Sequence, residues 1–166
     1  MAYSRWGSML ERCYSKNKML RHPSYKDVTV CEEWLNFQNF AEWYENTFPK
    51  HIKDIKFHLD KDLLQQGIED KIYSPNTCIW LPQKINNFIH NKNNKYTGLS
   101  WKPKNKKWEV TTKDFETNKN LYLGIYKDKD IGANVYKINR EVQAKKARNY
   151  LKTLGYLSDE ICELIK

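Results

Sequence analysis

Two short apolar runs separated by a polar loop, the second ending in a proline, constrain this chain more than any other stretch. Ile55, Phe57 and Leu59 alternate with polar neighbours as a half-buried strand does, and that strand carries Asp60 to its end. The polar run through Gln66-Gly67 to Lys71 predicts a loop, and residues 77–81 predict a second apolar strand. Pro82 suits the first turn of a helix, where its missing N–H costs nothing, so Gln83 to about His90 is expected to be helical. The order is strand, loop, strand, helix. It directs the Asp60 carboxylate and an amide or carboxylate on the following helix towards one small site, with Asn76 at the entry to the second strand. His58 lies two residues before Asp60 and therefore shares its strand face. Oxygen donors of this kind suit a hard divalent cation such as Mg2+.

The run Leu59-Asp60-Lys61-Asp62, the turn Tyr73-Ser74-Pro75 leading to Cys78, and the pair Ile85-Asn86 resemble the HNH (ββα-metal) endonucleases of phages and mobile elements. Trp6 to Tyr14 and Asp27 to Trp34 resemble the leader that precedes the site in that branch. The resemblance implies metal-dependent cleavage or nicking of double-stranded DNA with Mg2+ or Mn2+, by a homing-type enzyme. Position by position, it implies Asp60, Asn76 and Asn86 as metal ligands. It also exposes a departure, because Lys61 stands where the family has a catalytic histidine. A lysine with an ordinary pKa near ~10.4 is a poor base at neutral pH, which leaves His58 and Lys61 as rival catalytic bases. Asp60, Asp62 and Asn76 also have a purely architectural reading, since Asx residues commonly cap turns.

Charge agrees with a polyanionic partner. The 29 basic residues outnumber the 20 acidic ones, for a formal net charge of +9. Cys13, Cys31, Cys78 and Cys162 are scattered with no Cys-x-x-Cys pair, so zinc is not expected. No apolar run approaches the ~20 residues needed to span a bilayer, and no secretory leader opens the chain. A cytoplasmic protein without a membrane partner is expected, in a host cell if the chain is phage-encoded.

Around the site, Trp6, Met9, Leu10 and Cys13 fall at helical spacing and predict a helix over about 3–15. Asn36 caps a second, with Phe37, Phe40, Ala41 and Tyr44 on one side and Pro49 beyond its end. Both are expected to brace the site strand. The polar stretch 91–95 marks a boundary. Beyond it, three alternating strands over 96–101, 107–111 and 121–126 precede a helix capped by Asp128.

This second stretch resembles the plant ethylene-response-factor type DNA-binding domain through Tyr96, Gly98, Leu99, Lys107-Trp108, Leu123-Gly124, Tyr126, Ala133 and Tyr136. Gly132 departs from the usual alanine. Strand phase independently puts Leu99, Trp101, Trp108, Val110, Leu121 and Leu123 against the helix. Ser100, Lys102, Thr111, Lys113, Asn120 and Tyr122 then fall on the opposite face, as candidate DNA-binding residues. Glu141 to Leu154 continues helical and basic, either following a phosphate backbone or keeping the surface soluble.

The expected architecture is α+β: a helical lead-in with a ββα-metal module over 1–91, then a three-stranded antiparallel sheet packed on a helix over 96–154, and a last helix within 155–166. The expected function is metal-dependent DNA endonuclease. The alternatives are a catalytically lapsed DNA-binding or regulatory protein and a phage inhibitor of a host protein.

Overall fold

The computed structural model describes residues 1–90 and 95–166, and the polar stretch at 91–94, where the sequence marks a boundary, lies outside them. The fold is α+β and divides into two compact units, Met1–Asn86 and Asn87–Lys166.

In the first unit, α1 (Ala2–Tyr14) buries Met9 and Cys13 and is followed by the short α2 (Lys16–Arg21). β1 (Thr29–Val30) precedes α3 (Phe37–Thr47), whose N-terminus is capped by the Asn36 side chain accepting from the Gln38 N–H at 2.9 Å. The apolar faces converge on an aromatic cluster. Trp34, Phe40, Trp43, Tyr44, Phe48 and Trp80 pack with ring centroids 4.7–5.9 Å apart, and the Trp6 indole donates to the Trp34 carbonyl at 2.7 Å. Such rings contribute both buried area and edge-to-face contact.

Against this cluster lies a two-stranded antiparallel sheet of β2 (Phe57–Asp60) and β4 (Ile79–Pro82), paired Phe57 to Pro82 and Asp60 to Ile79. β4 runs directly into α4 (Gln83–Ile89). The Gln83 N–H donates to the Lys56 carbonyl at 2.8 Å, which ties the helix start to the entry of β2. The sequence does not reveal a further pairing, that of β1 with β3 (Ile72–Tyr73) in parallel, because two-residue strands carry no periodicity. Between β2 and β3 the loop is held by buried Gln65. Its amide donates to the carbonyls of Lys61 (2.6 Å) and Ile72 (3.0 Å), and its side-chain oxygen accepts from the Ile72 N–H (3.0 Å).

The second unit is an antiparallel meander of β5 (Leu99–Lys102), β6 (Lys107–Lys113) and β7 (Asn120–Tyr126), with α5 (Lys129–Leu154) packed on it. Asp128 caps α5 through the N–H groups of Asp130 (2.7 Å) and Ile131 (3.0 Å). Gly132 lowers helix propensity by ~1 kcal/mol relative to alanine, and close approach explains it: a Cβ there would sit 3.1 Å from Val110 Cγ2. Buried Ala144, Ala147 and Leu151 form the later half of the α5 core face. The closing helix α6 (Asp159–Glu163) buries Cys162.

One expectation about this unit changes. Trp101 shares the strand phase of Leu99 yet remains 44 % exposed. Lys129, in the first turn of α5, lies 4.7 Å over the Trp108 ring, so the helix begins beside Trp108, and the Trp101 ring lies 5.1 Å from that of Trp108. The basic half of α5 is also largely committed to internal pairing. Lys146 meets Asp114 at 2.5 Å, Arg148 donates to the Ile165 carbonyl at 2.7 Å, and Lys152 meets Glu163 at 2.7 Å.

Candidate functional site

Strand alternation sorts the β2 side chains. Phe57 and Leu59 turn to one face, where Phe57 meets Phe48 at a centroid distance of 5.8 Å, leaving His58 and Asp60 on the other. His58 is half-buried. Gln83 hydrogen-bonds its ring, and its Nε2 is buried with no hydrogen-bond partner. Burial first, then the charges of Arg5, Lys56 and Arg12, push its pKa below the ordinary value, so the imidazole is neutral near pH 7. The two arginines come from α1, some fifty residues away in sequence. Nothing in the sequence marks them as companions of His58.

Asp60 is 3 % exposed, and its Oδ1 accepts from the N–H groups of Asp62 (3.0 Å) and Leu63 (2.8 Å). It therefore caps the turn that leaves β2, whatever else it does. Lys61 is also buried, with its ammonium 2.9 Å from Asp62 and 4.9 Å over the Tyr25 ring. Lys71 approaches the same carboxylate at 2.6 Å. Burial alone would raise the Asp62 pKa, but the hydrogen bonds from Lys71 and Lys61 outweigh it and hold the carboxyl below its usual range. Lys61 is thus held in place by its ion pair with Asp62 and by the Tyr25 ring.

Asn76 is the exposed apex of the turn entering β4, a turn closed by Ser74 and Thr77: the Ser74 N–H donates to Thr77 Oγ1 at 3.0 Å, and that hydroxyl donates to the Ile72 carbonyl at 2.6 Å. Asn86 is half-buried in α4. A carboxylate with amide oxygens is a donor set suited to a hard cation. The cysteines have the opposite character. Burial pushes Cys13 up to about 11 and Cys78 up to about 12, so both are neutral thiols near pH 7.

Compared with family models, characterised proteins and solved structures, the chain finds no match. Among the described residues no helix is long and apolar enough to cross a membrane.

The second candidate surface is the sheet face turned away from α5. Register places Ser100 opposite Glu109, Thr111 opposite Tyr122 and Lys113 opposite Asn120, with Lys102 on the same face. Ser100, Lys113, Asn120 and Tyr122 are exposed, while Thr111 and Lys102 are half-buried. Lys102 is paired to Glu109 at 2.8 Å. A bulge between Val110 and Thr111 shifts the register so that Gly124 faces Val110 and Tyr122 faces Thr111. Strict alternation would put Ile125 in phase with Leu121, whereas here it lies opposite Glu109 on the outer face.

The His58 environment has a consequence for stability. Its folded pKa is lower than the unfolded value near ~6.5, so the unfolded chain takes up the proton first. The contribution is full above that value and is lost as pH falls through the folded pKa. In metal-free buffer the urea midpoint should drop between pH 7 and 5, and His58→Gln should flatten that drop. An equal drop in the variant would assign the dependence to other groups.

Proposed function

We propose that the chain is a metal-dependent DNA endonuclease, with His58 as the proton acceptor and Asp60 and Asn86 as metal holders. The observation that carries this reading is the His58 imidazole. It is kept neutral, its Nε2 has no hydrogen-bond partner, it lies among Arg5, Arg12 and Lys56, and it shares a strand face with the Asp60 carboxylate. A neutral imidazole can accept the proton of a water molecule, and neighbouring cations favour an approaching phosphate. A cation, when bound, would offset charge developing on that phosphate. The net charge of +9 and the polar outer face of the second unit's sheet support DNA as the substrate.

A second reading has its own observation. Lys61 occupies the position after Asp60 and is locked to Asp62, while Asp60 Oδ1 is engaged in capping a turn. These features suit a DNA-binding or regulatory protein that has lost cleavage. The deciding experiment incubates supercoiled plasmid with the purified chain, with and without Mg2+ or Mn2+, beside His58→Gln and Lys61→Met. Metal-dependent nicking that His58→Gln reduces ~10²-fold or more, with Lys61→Met milder, supports the endonuclease. Binding without nicking under any condition supports the second reading.

For the sheet face, Lys113→Ala should lower the salt slope of DNA binding by about one unit, the loss of one phosphate contact. Lys102→Ala should change it less, because Glu109 already balances that ammonium, and Glu109→Ala should tighten binding. Titrating a random duplex by fluorescence anisotropy across a salt series checks all three. Unchanged slopes throughout would remove this face from the interface.

A further inference from the structure

Helix α5 has two apolar faces, and among the described residues one is buried while the other is largely exposed. Gly132, Gln143, Ala147 and Leu151 are buried on the first. A different stripe, Ile131, Val135, Ile138 and Val142, follows the alternating spacing of four, three and four residues that lines one side of a helix. Ile131, Ile138 and Val142 are 56 %, 61 % and 48 % exposed, and Val135 is half-buried. β-Branched side chains at every position of such a stripe are what a helix presents to another helix. They have no role in water that a lysine or glutamate would not fill better.

The stripe is bounded by Asp128, three residues before Ile131, and by exposed Lys145, three residues after Val142. Neither has an ion-pair partner among the described residues. The spacing from Asp128 through Ile131, Val135, Ile138 and Val142 to Lys145 is therefore three, four, three, four, three, which reads the same in both directions. Laid antiparallel on itself, the helix puts Ile131 against Val142, Val135 against Ile138, and Asp128 against Lys145. Each apolar layer then holds one isoleucine and one valine, and each end holds opposite charges. A parallel pair would instead stack Asp128 on Asp128 and Lys145 on Lys145.

From this self-complementarity we propose that α5 is a homodimer interface, with two copies of the chain pairing antiparallel through the 131–142 stripe about a two-fold axis. The interface is isologous, the same patch on both copies. Four side chains a side bury well under the ~1,200 Å² of a standard interface, so the dimer is weak and forms in the micromolar range or above.

Sedimentation equilibrium of the full chain over a concentration series up to ~0.2 mM tests this. The wild type should show a reversible monomer–dimer equilibrium. Ile138→Glu, at a solvent-exposed position that leaves the fold intact by circular dichroism, should be monomeric throughout. Lys145→Glu should weaken the dimer about tenfold at low salt and less at high salt. Orientation has its own readout: a mixture of Ile131→Cys and Val142→Cys proteins should form a disulfide between the two, and neither alone should do so efficiently. A wild type that stays monomeric, a dimer unaffected by Ile138→Glu, or cross-linking of each variant with itself would overturn the proposal.

Discussion

Asp60→Asn is expected to abolish plasmid nicking while leaving the fold and DNA affinity nearly unchanged. The choice of asparagine follows from the two tasks that meet at this residue. Asp60 Oδ1 accepts from the N–H groups of Asp62 and Leu63, and an amide oxygen of the same shape can keep accepting both. What asparagine removes is the negative charge, which a bound cation would require. Loss of one carboxylate ligand from a small oxygen site should reduce the rate by ~10³-fold or more. Asp60→Ala should lose activity too. It also strands two N–H groups in a part of the chain that is largely buried, at a cost of about 1–3 kcal/mol each. The two substitutions together separate the roles: if Asp60→Asn nicks plasmid like the wild type while Asp60→Ala merely melts early, Asp60 is a turn cap alone. Rates at saturating Mg2+, thermal midpoints and duplex affinities of both variants supply the comparison.

Gly98→Ala is expected to unfold the second unit. Gly98 has φ +79, where an L side chain is strained, and an added Cβ would lie 2.3 Å from Tyr136 Cδ2 and 2.5 Å from the Thr111 carbonyl oxygen. The ring could move, but the carbonyl belongs to the strand that Gly98 pairs with, since the Thr111 N–H donates to Gly98 O at 2.9 Å. Backbone strain and overpacking together should exceed about 3 kcal/mol, a large part of a small domain's stability. Trp108→Ala should cost less, because Trp108 is only half-buried and its neighbour Trp101 is already exposed. Two-dimensional NMR would show loss of dispersed signals from 95–166 in Gly98→Ala, with DNA affinity falling in parallel. A Gly98→Ala protein with unchanged stability would mean that the first residues of the sheet lie elsewhere.

Local chemistry was readable from the sequence because it acts over a few residues. The strand alternation of Ile55 to Asp60, the helix that follows Pro82, the Asn36 and Asp128 caps and the three strands of the second unit are all present as expected, within a residue or three at their ends. So was the division of the sheet into an apolar face and a face with Ser100, Thr111, Lys113 and Tyr122, since side-chain direction in a strand alternates regardless of what surrounds it.

What required the tertiary structure were the properties set by distant neighbours. Whether His58 is charged depends first on its burial and then on Arg5 and Arg12 arriving from α1, and the Asp62 carboxylate that Lys61 meets is shared with Lys71, which comes from across the loop. The exposure of Trp101 depends on where α5 begins to cover the sheet, and the position of Ile125 depends on one bulge that shifts the β6–β7 register. Hydrophobic pattern states which residues favour burial; only the packed chain decides how much covering surface reaches each of them, and which charges end within a few ångströms of one another.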